Sequence, residues 1–64
     1  MKNRIKELRK LQKFSQDDLA KTCNVTRQTI NAIENNKYDP SLNLAFCIDF
    51  SLETDINQVF IYSK

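Results

Sequence analysis

Hydrophobic residues recur along this 64-residue chain at the three- and four-residue spacing that is typical of amphipathic α-helices. The first helical segment covers about residues 2–13, with Ile5, Leu8 and Leu11 on one side and Phe14 just beyond it. Similar spacing continues to Glu34 and resumes after a polar stretch. The pattern therefore predicts an all-α domain made of short helices.

The stretch from Ser15 to Glu34, SQDDLAKTCNVTRQTINAIE, predicts two helices joined by a tight turn. Ser15 and Thr26 are suitable N-cap residues, because their hydroxyl oxygens can accept hydrogen bonds from free backbone N–H groups. Asn24 tolerates the left-handed conformation that often ends a helix. The residues expected to face inward are apolar, with small Ala20 at the helix crossing: Leu19, Cys23, Val25, Ile30 and Ile33.

Arg27, Gln28 and Asn31 form the outer face of the second of these helices. Arg can bond bidentately to guanine, and Gln or Asn can do so to adenine, in a DNA major groove. Any one of these residues alone is more simply explained as part of a solvated face. Together with the turn pattern they predict a recognition helix. Gln16, at the start of the preceding helix, is expected to bond a phosphate or brace Gln28.

The second half of the chain begins with a loop, NNKYDP, that is rich in turn-forming residues. Ser41 is then expected to cap a fourth helix over about residues 41–51, and Asp55 a short fifth helix with Gln58 three residues later. Residues 61–64 are β-prone and are expected to pair as a short strand with a second copy. The core side of the fourth helix is predicted to comprise Leu42, Leu44, Ala45, Ile48 and Leu52.

Phe46 and Phe50 are four residues apart on the fourth helix, whose core side is already occupied by the aliphatic residues named above. The simplest interpretation places both in the core. Excess apolar residues on so small a domain instead favour an interface. We therefore predict a homodimer contact made of Phe46, Phe50, Phe60 and Tyr62.

The distribution of charge is more informative than the formal net charge of +2. Residues 1–37 carry nine Lys or Arg against four Asp or Glu, whereas residues 38–64 carry one against four. The half that contains the two capped helices is therefore basic, as expected of a surface that faces phosphates.

Several function classes are disfavoured by composition. The chain has no His, so a Cys or Ser nucleophile lacks its usual base, and its two Cys alone cannot complete an ordinary zinc site. It has no Gly for a phosphate-binding loop. These absences predict a protein that is not an enzyme and that uses no cofactor and no metal. With no long apolar run and no signal peptide, we expect a cytoplasmic protein without a membrane partner.

The stretch dissected above resembles the helix-turn-helix of the lambda-repressor/Cro-like family of bacterial and phage regulators. Three further segments are similar to that family: IKELRKLQKFSQ to its first helix, IENNKYDPSLNLAF to its IE-N-G-K-x-x-P-S-L-x-L-A continuation, and INQVF to its last helix. The resemblance implies a compact five-helix domain that binds operator DNA as a dimer at the nucleoid.

The resemblance also implies roles for particular residues. Arg9 and Glu34 are expected to form a partly buried ion pair between the first and third helices. Asn36 stands at the usual place of a Gly, and Glu53 where Gly often ends the fourth helix, so a left-handed residue is expected at the former and strain or a different turn at the latter. The residues expected to position the protein on phosphates are Gln16, Thr26, Thr29, Asn36, Lys37 and Tyr38.

Two functions from different classes remain open at this point. The first is a sequence-specific transcriptional regulator, most simply a repressor, that binds double-stranded DNA at a palindromic operator. The second is a protein-interaction module, such as an antitoxin-like or accessory factor, whose working surface would be the apolar C-terminal half. A DNA-binding regulator would lose affinity for duplex DNA steeply as salt rises and would still prefer one DNA sequence, whereas a protein-interaction module would show neither property.

Overall fold

The structure is a computed structural model that describes residues 2–54 and 59–61. Within these ranges it contains helices α1 (Ile5–Leu11), α2 (Gln16–Thr22), α3 (Arg27–Glu34) and α4 (Leu42–Ser51), and the two-residue strands β1 (Lys2–Asn3) and β2 (Phe60–Ile61). The predicted all-α class is confirmed. The predicted fifth helix falls largely on residues 55–58, outside the described residues.

Three helices begin at the capping residues expected from the sequence. The Ser15 hydroxyl accepts from the Asp18 N–H at 2.9 Å, and the Asp18 carboxylate accepts from the Ser15 N–H at 3.0 Å. This reciprocal pair is a capping box. Thr26 caps α3 and Ser41 caps α4 through the same kind of hydroxyl contact. Side-chain capping therefore fixes where α2, α3 and α4 start.

All four described helices end on a residue in the left-handed conformation, although the chain contains no glycine. In each case that residue and the next one donate their N–H groups back to the last turn, which is the Schellman arrangement. Asn24 and Asn36 were expected there; the other positions are Lys13, which was not anticipated, and Glu53. A left-handed conformation costs a non-glycine residue about 1–2 kcal/mol, so these backbone bonds stabilise strained turns.

The core lies where α1, α2, α3 and α4 meet, and it also includes Val59. Its buried members are all aliphatic: Ile5, Leu19, Ala20, Ile30, Ile33, Ile48, Leu52 and Val59. Cys23 and Val25, which were expected to face inward, pack against this cluster as half-buried residues. The inward set predicted for α2 and α3 is therefore confirmed.

Two leucines differ from what the spacing suggested: Leu42 was predicted to belong to the core, and Leu11 was placed on the same side of its helix as Ile5 and Leu8, yet both are exposed. Leu11 is 72% exposed on α1 and Leu42 is 67% exposed on α4. Each lies six positions from a fully buried isoleucine, Ile5 or Ile48, and so about 120° around the helix from it. Residues placed three apart move steadily away from the buried face, because a helical turn takes 3.6 residues. On α1 the buried face is completed by Arg9.

The first residues form a strand, where the sequence pattern predicted that the first helix had already begun. Lys2 pairs antiparallel with Ile61 and Asn3 with Phe60, and the Arg4 N–H donates to the Val59 carbonyl at 2.7 Å. The backbone partner of Ile61 is therefore Lys2 of the same chain, and residues 62–64 of the segment predicted to pair with a second copy lie outside the described residues. Pairing within one chain avoids the entropic cost of association.

No helix in residues 2–54 or 59–61 combines the length and apolarity that a membrane crossing requires.

Candidate nucleic-acid interface

Helix α3 has sharply different inner and outer faces. Ile30 and Ile33 are fully buried, whereas Arg27, Gln28 and Asn31 are exposed. Packing against α2 orients α3, because these two helices share the most extensive contact between elements in the described residues. The three side chains predicted to contact bases therefore share one solvent-facing surface.

Residues of α2 and α3 together line a surface depression of about 250 Å³. Its walls are formed by Gln16, Arg27, Gln28 and Asn31. The structure thus brings the three predicted base-contacting residues next to one predicted phosphate-contacting residue. All four side chains are polar, as the edges of bases and the oxygens of phosphates require.

Asn35 holds the Asn31 side chain in one orientation. Its amide nitrogen donates to the Asn31 carbonyl oxygen at 2.9 Å and to Asn31 Oδ1 at 3.0 Å. From its place in the polar stretch, Asn35 was expected only to form a turn. The i, i+4 spacing of two asparagines on one helix was the signal that could have revealed this contact.

The hydroxyls of Thr26 and Thr29 lie 3.0 Å apart at the first turn of α3. The Thr26 oxygen also accepts from the Thr29 N–H at 3.2 Å. Both residues were predicted to contact phosphates. The structure places them at the positive end of the α3 dipole, where an anion is favoured.

A buried carboxylate joins the first three helices. Glu34 Oε2 accepts from Arg9 Nε at 2.9 Å, and Glu34 Oε1 accepts from Arg9 Nη2 at 3.3 Å and from the Gln16 amide at 3.0 Å. Arg9 Nη1 also donates to the Phe14 carbonyl at 2.9 Å. The structure therefore brings together the residues predicted to pair.

Gln16 is bonded differently from what was expected. It was expected either to bond a phosphate or to brace Gln28, and its amide donates to Glu34, because the start of α2 lies beside the end of α3. The phosphate contact stays a prediction. The side chain is half-buried and still lines the depression beside Arg27. Gln16 thus connects the ion pair to the exposed polar surface.

The loop after α3 carries the other predicted phosphate contacts. Asn36 has φ 61°, its N–H donates to Ile33 O at 3.1 Å, and the Lys37 N–H donates to Ala32 O at 2.9 Å. Lys37 is exposed and Tyr38 is 53% exposed. Both side chains therefore lie on the surface just beyond the end of α3.

Besides the buried pair of Arg9 and Glu34, residues 2–37 contain two ion pairs on exposed surfaces. Arg4 pairs with Glu7 at 2.9 Å and Lys21 with Asp17 at 3.2 Å, both on helix surfaces. The hydrogen bond and the charge of Arg4 hold the pKa of Glu7 below its usual value. Hydrogen bonds from the Ser15 backbone and side chain hold the pKa of Asp18 below its usual value as well.

The predicted dimer residues are only partly grouped. Phe46 is 51% exposed and Phe50 is 85% exposed on the outer side of α4. Phe60 is half-buried and packs against the core of its own chain, and Tyr62 lies outside the described residues. Leu42 extends the exposed apolar stripe by one turn, so α4 presents Leu42, Phe46 and Phe50 to solvent.

The two cysteines lie between α2 and α4 and are half-buried. Cys23 Sγ lies 3.7 Å from Ser51 Oγ, and Cys47 Sγ lies 3.9 Å from the Thr22 carbonyl oxygen. Burial, with a smaller contribution from the Cys47 thiol, raises the pKa of Cys23 to about 11. The reactive thiolate of Cys23 is therefore scarce near neutral pH.

A family model described as helix-turn-helix matches residues 5–46, which span α1 through the first half of α4. The chain belongs to this helix-turn-helix family. Its members of the Cro/C1 type are DNA-binding transcriptional regulators, and the resemblance noted from the sequence is thereby confirmed.

Two relatives cover almost the same length as this regulator. An uncharacterized HTH-type transcriptional regulator from Methanocaldococcus jannaschii is 53% identical over 97% of this chain and 94% of its own. The uncharacterized HTH-type transcriptional regulator YgzD of Bacillus subtilis is 49% identical over 86% of each chain.

A solved structure shares the fold of this regulator. It is the restriction-modification controller protein C.AhdI from Aeromonas hydrophila, with a TM-score of 0.82 and 24% sequence identity over 89% of this chain and 86% of that one. At this level of identity the match supports the helix-turn-helix architecture.

Proposed function

We propose that this transcriptional regulator is a sequence-specific repressor that binds a palindromic operator as a homodimer. The observation that carries the proposal is the shared exposed surface of Arg27, Gln28 and Asn31 on a helix whose other side is locked into the core. A small chain that occupies an operator can block transcription by occupancy alone, without further chemistry. It would act in the cytoplasm at the nucleoid.

In this proposal Arg27 and Gln28 contact base edges, with Asn31 beside them. Arg27 suits a guanine, and either amide suits an adenine. The Asn35 contacts support a role for Asn31, because an amide held in one orientation discriminates donor from acceptor without further ordering. Specificity would therefore come from residues 27–31, the first part of α3.

Phosphate contacts would surround these base contacts. Thr26 and Thr29 lie at the start of α3, and Asn36, Lys37 and Tyr38 lie just after its end. Gln16, at the start of α2, shares the depression with Arg27. Such contacts fix the register of a protein on the duplex and add affinity that falls as salt rises.

Dimerisation would use the outer side of α4. Phe46 and Phe50 form an exposed apolar surface that an isolated domain does not need. In a two-fold dimer the two α3 helices would enter successive major grooves, about 34 Å apart. Phe60, being half-buried, would contribute at most its exposed edge, and Tyr62 remains a prediction.

The same apolar stripe supports a second candidate function. An accessory or antitoxin-like factor would use α4 to bind a different protein, with DNA binding as a secondary property. The protein composition of the species that binds DNA distinguishes the two functions, because the repressor requires only two copies of this chain.

The test is selection of bound sequences from a random duplex pool, followed by titration of the enriched duplex at several salt concentrations. We expect a two-fold symmetric consensus with half-sites separated by one helical turn, and affinity that falls steeply as salt rises. A scrambled duplex of equal composition is the control. Failure to enrich any sequence over the starting pool would contradict a sequence-specific regulator.

A further inference from the structure

The side chain of Asn3 in β1 joins three parts of the molecule. Its Oδ1 accepts from the Ile5 N–H at 3.2 Å and so satisfies one of the free N–H groups at the start of α1. Its Nδ2 donates to the Ile33 carbonyl oxygen at 2.7 Å and lies 3.4 Å from Asn36 Oδ1. Neither the proposed operator contacts nor the core explains why a polar side chain makes both of these connections.

Both contacts with Ile33 and Asn36 lie at the point where the chain leaves α3. The Ile33 carbonyl is one of the last four of the helix, which have no partner within it. It accepts from the Asn36 N–H as well as from Asn3. Because the chain turns at Asn36, whose φ is 61°, the hydrogen bonds around it decide where the next residues lie.

The other side of Asn3 is held by the C-terminal strand. Asn3 pairs with Phe60 in the β1–β2 ladder, and the following residue, Arg4, donates its N–H to Val59. Val59 is fully buried and Phe60 packs against the core. The backbone of Asn3 is therefore anchored to the C-terminal segment, while its amide reaches the end of α3.

We propose that Asn3 is a positioning residue for DNA binding. Its amide fixes the end of α3 so that Lys37 and Tyr38 meet the phosphate backbone, and it links their position to the C-terminal strand. This inference rests on the proposed function, since it presupposes that the loop after α3 contacts phosphates. Asn3 itself need not touch DNA.

The test compares operator binding by Asn3→Ser, Lys37→Ala and the double variant. Serine keeps a hydroxyl that can accept from the Ile5 N–H, but its side chain is too short to donate to the Ile33 carbonyl oxygen. If Asn3 acts through the loop, Asn3→Ser weakens binding about three- to tenfold at low salt and lowers the salt slope by about one phosphate contact. In the double variant the Asn3→Ser change then adds little to the loss from Lys37→Ala.

A purely structural role would give a different pattern. Ile48→Val is the control, because it loosens the core without changing a side chain of β1 or of the loop after α3, and it should lower the melting temperature without altering the salt slope. An unchanged slope for Asn3→Ser, or losses that simply add in the double variant, would overturn the positioning role. Failure of the unmodified protein to prefer the operator would instead remove the proposed function itself.

Asn3→Asp provides a second variant should Asn3→Ser fold poorly. The carboxylate keeps an acceptor for the Ile5 N–H and lacks the donor for Ile33. Its added negative charge affects phosphate contacts directly, so it is measured in both the Lys37 and the Lys37→Ala backgrounds, where that direct effect largely cancels. A loss of equal size in the two backgrounds would also overturn the proposal.

Discussion

Helices α3 and α4 are of similar length, but their solvent-facing sides have opposite chemistry. The outer side of α3 carries Arg27, Gln28 and Asn31, whereas that of α4 carries Leu42, Phe46 and Phe50. Both helices are anchored by the same device, a buried isoleucine on the inner side and a hydroxyl N-cap. The difference between them therefore lies in what each leaves outside.

This difference indicates that the two helices bind different kinds of partner. A polar outer face with oriented amides suits hydrogen bonding to a ligand with a fixed donor and acceptor pattern, such as a base edge. An apolar outer face suits burial against another protein surface.

Glu34→Gln should have the largest effect, because it removes the carboxylate that anchors α3 to α1 and α2. The Arg9 and Glu34 side chains are only 9% and 3% exposed, so the change leaves a buried guanidinium without its counter-ion. We expect a loss of roughly 3–5 kcal/mol in the free energy of unfolding, measured with denaturant. Glu7→Gln, which breaks the exposed pair with Arg4, should change stability little. An unaltered melting temperature for Glu34→Gln would show that the pair is unimportant.

Replacing Phe46 and Phe50 together by Ser should next affect assembly. We expect sedimentation at the mass of a monomer and operator affinity lower by about a hundredfold, because two linked half-site contacts become one. Unfolding of the monomer should be nearly unchanged, since both side chains are already exposed. Leu11→Ser is the control, because it removes an exposed apolar side chain from α1 instead. If the double variant remains a dimer, the contact lies elsewhere.

Arg27→Ala should weaken operator binding by roughly 1–3 kcal/mol and relax specificity at one base pair. Folding and dimerisation should not change, because the side chain is exposed and α3 is held from its other side. The matched control is Lys21→Ala, which removes the same charge from the exposed surface of α2. Titration against operators altered one base pair at a time measures both effects, and wild-type binding by Arg27→Ala would refute its assignment.

Glu53→Gly should stabilise the domain by about 0.5–1 kcal/mol. Glu53 holds φ 54° after α4, a conformation that costs a residue with a Cβ and costs glycine little. Asn24→Gly in the α2–α3 turn should raise the stability of the domain by less, because asparagine already tolerates the left-handed conformation. Glu53→Ala controls for loss of the charge and should give no gain. Equal effects for the two glycine variants would mean that strain does not distinguish the two turns.

The smallest effect concerns pH and the capping box of α2. Because hydrogen bonds from Ser15 lower the folded-state pKa of Asp18, its contribution to stability is present above the unfolded value, about 3.9. That contribution is lost as the pH falls through the lower folded-state value. Asp18→Asn should therefore flatten the loss of stability below about pH 4, whereas Asp17→Asn removes the same charge and leaves the box intact. Parallel acid unfolding curves for the two variants would contradict this assignment.

Much of the α2–α3 unit was predictable because its determinants are local. Ser15 and Thr26 are capping residues with few alternative uses, and Asn24 is suited to the left-handed turn between the helices. Each of these acts within a few residues along the chain, so the sequence shows both partners of the interaction. The left-handed Lys13 was missed, because lysine carries no such local signal.

The contacts that were missed join residues far apart in the chain. Gln16 bonds Glu34 and Asn3 bonds Ile33, and no periodicity along the chain predicts either contact. On α4 the predicted core side failed at Leu42, because apolar residues occur on all sides of that helix and periodicity alone cannot choose among them.

The helical class, the caps, the left-handed asparagines and the polar outer face of α3 can all be read from the amino-acid sequence, because they depend on neighbours within one or two turns. Three features emerge only when the helices pack: which leucines stay outside, the pairing of the N-terminal residues with the C-terminal strand, and the contacts of Asn3 and Gln16 with the end of α3. Burial and long-range hydrogen bonds depend on how whole elements pack, whereas caps and turns depend on local backbone groups.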